Sequence, residues 1–356
     1  MNEDLKRLVE SVEPVSFDNM DEIQAHLDNL TKPKGSLGRL EELAARYCSI
    51  TGQMRPRLPH KSVLVFAGDH GVTEEGVSAF PKDVTFQMVK NFLEGGAGIN
   101  VLARHVGADV KVIDIGVDHD FQGLPGLIHM KVARGTKNMA KGPAMTVQEA
   151  EEAILNGAKA ADMAIDQGAR LLATGEMGIG NTTPASAVTA LVCHREPDEV
   201  TGRGTGIDTD SFHRKIQLIK NAIEINAPDT QDPLDCLSRV GGFEIAAISG
   251  MILRACGRKV PVVVDGFISG AGAVVAKALC PAVSDYLFAG HQSVEIGHRV
   301  QMEYLGLRPI LDLDMRLGEG TGAVLAMGII EAGLKIYLEM ATFDGAQVSP
   351  GNEADI

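Results

Sequence analysis

Arg170-Leu-Leu-Ala-Thr-Gly-Glu-Met-Gly-Ile-Gly-Asn-Thr-Thr-Pro184 is the stretch that decides the fold. Residues 170–173 read as a short buried strand, and a polar glycine-rich turn follows at once. Asn181 or Thr182 can cap the helix beyond it, and Pro184 suits that helix's first turn. The same succession recurs along the chain. Strands are expected at 62–67, 109–115, 260–264, 286–289 and 309–313 as well. Between most of them lie helical stretches at 84–93, 147–165, 210–225, 242–255, 271–279 and 294–304, with another at 323–331. Buried strands alternating with helices predict an α/β fold, its parallel sheet covered on both faces.

The flanks differ. Leu5, Leu8 and Val9, then Ile23, Leu27 and Leu30, recur at helical spacing, and Leu40, Leu43 and Ala44 repeat it after the break at Lys32-Pro33-Lys34-Gly35. The end of the chain, 341–356, is polar with Pro350-Gly351 and is expected to be a loosely attached tail.

Glycine-rich polar turns fall where the strands end: Gly68-Asp69-His70-Gly71, 175–180, Asp265-Gly266-Phe267, Gly290-His291-Gln292-Ser293 and Gly318-Glu319-Gly320. In an open α/β sheet the carboxyl ends of the strands form the ligand crevice. Asp69, His70, Glu176, Asp265, Ser293 and Glu319 are therefore expected to converge on one cleft.

Composition narrows the chemistry. The 356 residues suffice for about two domains. With 45% apolar and 22% charged residues the chain is ordinary globular protein. Its net charge of −14 argues against a nucleic-acid surface, which neutralises phosphates with basic side chains. Aromatics at 4%, with no Trp, disfavour base-stacking platforms. The five cysteines are scattered and unpaired in spacing, as expected of reduced thiols, and the ten histidines show no zinc-ligand spacing, so no metal is expected. The amino-terminal residues lack the apolar core of a signal peptide. The apolar window 260–279 carries Asp265 and Lys277, costly inside a bilayer. A soluble, cytoplasmic protein without membrane partners is the expectation.

Three loops carry candidate chemistry. The 173–184 segment presents free backbone N–H groups at the positive end of a helix dipole, although an anion site and a purely structural turn both fit it. It lacks the Gly-Lys-Ser/Thr of a Walker loop, and its G-x-x-G-x-G spacing is not the dinucleotide fingerprint. Thr201-Gly-Arg-Gly-Thr-Gly-Ile-Asp208, followed by Arg214-Lys215, offers more donors, with Lys215 a point charge for a phosphate. The loop at 262–272 has one acidic residue, Asp265, where diphosphate-dependent phosphoribosyltransferases carry two, which disfavours a diphosphate–magnesium substrate. In 314–323, Glu319 is bracketed by glycines that permit close approach of a ligand.

Lys32-Pro-Lys-Gly-Ser-Leu-Gly-Arg-Leu-Glu41, Gly68-Asp-His-Gly-Val72, Pro81-Lys-Asp-Val-Thr85 with Gln87-Met88-Val89, the 175–184 loop and Arg316-Leu-Gly-Glu-Gly-Thr-Gly322 occur in that order. Together they resemble the nicotinate-nucleotide–dimethylbenzimidazole phosphoribosyltransferase family. The resemblance implies phosphoribosyl transfer from nicotinate mononucleotide to a benzimidazole-type base, without metal or cofactor. It also implies a Rossmann-like three-layer core at 59–334, a smaller helical domain from 1–58 and 335–356, and a homodimer. By the same resemblance Glu319 is the general base, and Glu176 and Gly178 lie near the ribose and phosphate. Lys215 and Ser293 fall near the phosphate, Asp265 among the substrate-binding residues, and Phe80, Gln87 and Leu317 around the base. Two rivals are a nicotinamide-dependent oxidoreductase, which the absent fingerprint counts against, and a binding protein without turnover, which has no evident need for Glu319.

Overall fold

The computed structural model describes residues 1–349. Its strands form where apolar residues run without polar alternation, so that both sides of each strand can be covered. Among the described residues six strands make one parallel sheet: β1 (His60–Gly68), β2 (Ala108–Gly116), β3 (Leu127–His129), β4 (Ala169–Met177), β5 (Val262–Val264) and β6 (Leu287–Ala289). Their spatial order is β3-β2-β1-β4-β5-β6. Strand order reverses between β1 and β4, where Phe66 faces Glu176 in register.

The helices follow from the chain order. α1 (Glu3–Glu10), α2 (Met20–Asp28) and α3 (Arg39–Thr51) precede the sheet. α4 (Val84–Glu94) and α5 (Gly98–Val106) join β1 to β2, and α6 (Val147–Asp166) leads into β4. Between β4 and β5 lie α7 (Thr182–Val192), α8 (Pro197–Val200), α9 (Thr209–Asn226), α10 (Pro233–Val240) and α11 (Phe243–Gly257). α12 (Phe267–Leu279) precedes β6, and α13 (Gly297–Leu305), α14 (Thr321–Glu339) and α15 (Phe343–Ala346) follow it.

α6, α11 and α12 pack together over one face of the sheet, while α5 and α14 cover the other with α3 behind α14. The three-layer α/β expectation holds. α6 and α11 meet backbone to backbone: a methyl group on Gly157 would overlap Ala247, and one on Gly250 would overlap Ile154.

Several expectations need correction. Residues 309–313 are not a strand; Leu311 makes one bridge to His291, and Leu313 is exposed where a covered strand would bury it. β3 is too short to leave a periodic signal. β4 runs four residues beyond its expected end, so Glu176 and Met177 lie on the strand. The long apolar segment is α14 rather than 260–279, which splits into β5 and α12. α14 is long and apolar enough to cross a membrane, yet it packs on β4, β5, α3 and α5. The carboxyl-terminal segment is tied down as far as α15. Thr31 N–H donates to the Ala341 carbonyl at 2.9 Å and Phe343 N–H to that of Asn29 at 2.8 Å. Pro350-Gly351 and the rest of the expected tail lie outside the described residues.

Candidate active site

At the carboxyl ends of β4, β5 and β6 the turns enclose a cavity of about 640 Å³, within the range of small-molecule sites. Glu176, Gly178, Asp265, Ser293, Leu317 and Glu319 all line it, with Phe80, Val84 and Met88 forming an apolar wall. A second hollow of about 670 Å³, bordered by Lys137, Lys141 and Arg239, contains none of the strand-end turns.

Glu319 sits on an unusual backbone. Gly318, Glu319 and Gly320 have φ of 84°, 62° and 91°, three left-handed residues in a row. Such a conformation costs a non-glycine residue free energy and persists only where its surroundings enforce it. The turn lies directly on β4: a Cβ on Gly175 would stand 2.6 Å from the Glu319 carbonyl oxygen. Thr321 closes it, with its N–H and hydroxyl both donating to the Gly318 carbonyl. The Glu319 carboxylate is buried, and its Oε2 accepts the Ile99 N–H at 3.0 Å. Burial raises its pKa, Asp265 adds to the rise, and the N–H groups of Ile99 and Gly98 oppose it.

Glu176 faces the same space from the end of β4. Asn181 does not cap α7 through its side chain; its amide donates to Glu176 Oε2 instead. Burial, then the nearby Asp265 and Glu244 carboxylates, push the Glu176 pKa up to about 8. Asp265 accepts the N–H groups of Gly320 at 3.3 Å and Ala323 at 2.8 Å. His291 Nε2 is 3.8 Å from Asp265 Oδ1, the oxygen that accepts the Ala323 N–H.

A cation backs the opposite end. Lys215 on α9 is buried behind the lining and donates to Thr182 Oγ1 at 2.7 Å. Burial lowers its pKa to about 8, against the attraction of Glu295. Glu295 and Ser293 line the cavity here, and the Glu295 N–H donates to Ser293 Oγ at 3.3 Å. Over the mouth the 201–208 loop meets the segment carrying Phe80: Ala79 N–H donates to Thr205 Oγ1 at 3.1 Å.

Some expected site residues stand apart. Asp69 does not line the cavity; its carboxylate accepts the Asp118 N–H at 2.8 Å. His70 is buried against Glu244, 3.0 Å away, behind Gly178. Gln87 is exposed on α4 and is not among the lining residues, whereas Val84 and Met88 of that helix are. Phe80 and Leu317 border the cavity and remain 54% and 60% exposed, leaving its apolar side open. His291 and Glu295 were not singled out from sequence, although His291 lies within a turn that was, and Thr182 was read only as a helix cap.

A phosphoribosyltransferase family model matches residues 12–348. The nicotinate-nucleotide–dimethylbenzimidazole phosphoribosyltransferase of Geobacter sulfurreducens is 59% identical over 339 residues, spanning 95% of this chain and 96% of that one. The chain belongs to this family. The protein of the same name from Geotalea uraniireducens is 57% identical over 98% of this chain and 99% of its own. Among solved structures, CobT from Thermus thermophilus is 48% identical with a TM-score of 0.89, covering 93% of this chain and 99% of that one. For this family the cavity at the ends of β4 to β6 is the candidate active site.

Proposed function

We propose that this chain transfers the 5-phosphoribosyl group of nicotinate mononucleotide to 5,6-dimethylbenzimidazole or a related base, releasing nicotinate and α-ribazole 5′-phosphate. The observation that carries the reading is Glu319, a buried carboxylate on the cavity wall, held on a left-handed turn beside an apolar surface. In the donor nucleotide the leaving group is a pyridinium, which departs as a neutral ring nitrogen and needs no general acid. The incoming benzimidazole attacks through one nitrogen, and its remaining N–H grows acidic as positive charge develops. Glu319 takes that proton. General-base catalysis of this kind contributes about 10²–10⁴-fold. Attack opposite nicotinate turns the β-linkage into an α-linkage.

Glu176 serves the sugar, through the ribose hydroxyls or the positive charge on the anomeric carbon. The 5′-phosphate lies at the other end, on the N–H groups around Gly178 with Lys215 and Ser293 close by, and supplies remote binding energy for alignment. Phe80 and Leu317 border the base, with Gln87 in the same segment. The enzyme works as a cytoplasmic homodimer in this reading.

Product analysis on mixing the purified protein with nicotinate mononucleotide and dimethylbenzimidazole tests the proposal. Stoichiometric α-ribazole 5′-phosphate and nicotinate are expected. Nicotinate without a ribosylated base, or no reaction, overturns it. Light scattering at micromolar protein checks the dimer.

A further inference from the structure

The Gly318-Glu319-Gly320 turn requires something to hold three left-handed residues in place; its Gly318 carbonyl accepts from Thr321, its Gly320 carbonyl accepts the Val324 N–H, and the Glu319 carboxylate accepts the Ile99 N–H. Asp265 adds a further restraint. One carboxylate oxygen accepts the Ala323 N–H and the other the Gly320 N–H, so a single side chain grips both the end of the turn and the first turn of α14. A carboxylate at a helix amino terminus is also favoured by the helix dipole. Asp265 is itself fixed, because its N–H donates to Thr174 Oγ1 of β4 at 3.0 Å. Thr174 and Asp265 are both buried, and the turn they hold rests on the same strand at Gly175.

We propose that Asp265 is the positioning residue of the reaction, acting through the Glu319 turn rather than on the substrate, and that its charge helps keep Glu319 a competent base. This rests on Glu319 being that base. Both oxygens of Asp265 are engaged by backbone N–H groups, which suits a clamp better than a partner for ribose hydroxyls. The ionisable groups that share the cavity wall with Glu319 are Glu176 at the end of β4, Asp265 after β5, His291 and Glu295 after β6 and Arg316 in its own loop. Asp265 opposes loss of the Glu319 proton, so the anionic clamp strengthens the base it positions.

Asp265→Asn keeps the shape, removes the charge and sets an amide N–H₂ against one backbone donor. The expected result is a loss of kcat of about tenfold or more, the scale of one charged hydrogen bond. The KM for nicotinate mononucleotide should change less than about threefold, since no substrate contact is lost. The acidic limb of the kcat profile should move to lower pH, because Glu319 then ionises more easily. A retained kcat, a KM for the nucleotide that rises while kcat holds, or an unmoved acidic limb overturns the proposal. Thr174→Val loosens Asp265 without altering its charge and should lower kcat while leaving the limb in place. Should the Asn variant not fold, this second variant carries the test alone, and an unchanged kcat overturns the clamp. Glu319→Gln is assayed alongside. Wild-type turnover in that variant refutes the base assignment itself, whereas lost turnover there with intact Asp265→Asn refutes only Asp265.

Discussion

Glu176 and Glu319 make an instructive pair. Both are glutamates within glycine-rich segments, both line one cavity, and both are 6% exposed. Their backbones and donors differ. Glu176 ends a strand and receives a side-chain amide from Asn181, among other carboxylates that push its pKa to about 8. Glu319 occupies a left-handed turn and receives backbone N–H groups from the start of α5, which oppose its rise. Equal exposure therefore does not set equal chemistry: burial raises both, most strongly Glu176, and the surrounding groups then separate them further. The donors at the helix start favour an anion, and the cluster around Glu176 favours a proton.

The most severe break of this pair is Glu319→Gln. Turnover should fall at least about a hundredfold with nucleotide binding nearly intact, read as kcat against nucleotide affinity. An equal loss from Glu176→Gln alone would reverse the roles. Gly318→Ala comes next, because its methyl group would press on Glu176 Oε1 while forcing a left-handed alanine beside Glu319. A displacement of both acids should cost roughly tenfold or more in kcat. The backbone strain should lower stability by about 1–2 kcal/mol in urea unfolding. Lys215→Ala tests the end that neither glutamate serves. The KM for nicotinate mononucleotide should rise about tenfold with kcat largely kept, as for a lost charge-assisted contact. An effect confined to the KM of the benzimidazole would remove Lys215 from the phosphate.

The smallest effect is one of stability. Glu176 holds a proton in the folded protein up to about pH 8, whereas an unfolded glutamate loses it near the ordinary value of 4.5. The folded state therefore binds more protons across that window, and the stability this lends is lost as pH rises through it. Glu176→Gln abolishes the dependence. The melting temperature of the variant, relative to the parent, should climb between pH 5 and pH 9, and a constant gap would mean that Glu176 is already ionised.

Much of this arrangement was legible in the chain. The runs at 62–67 and 260–264 are apolar enough to be covered strands, and the segments following 170–173 and 260–264 carry Glu176 and Asp265, which meet in the cavity. Glu319 stood out because two glycines flank it. What periodicity could not show was how far β4 runs, since Thr174 and Gly175 interrupt the apolar pattern while packing forces them to stay extended. Nor could it show Asn181 turning from helix cap to partner of Glu176, because both uses suit an asparagine at that position. Asp69 and His70 were expected in the cleft because a strand-end turn carries them. His70 meets Glu244, whose place in the first turn of α11 depends on long-range packing that no local pattern records.

α14 begins immediately after the Glu319 turn and, 19 residues later, delivers the chain to its hydrogen bonds with Asn29 and Thr31. At 1.5 Å per residue that is a rod of about 28 Å. One end of this strut seats Glu319, and the other is latched to the amino-terminal helices. Trimming the protein back past residue 341, or crowding that latch with a fused tag, is thus an intervention at the mounting of the candidate active site, however remote it looks in the primary structure.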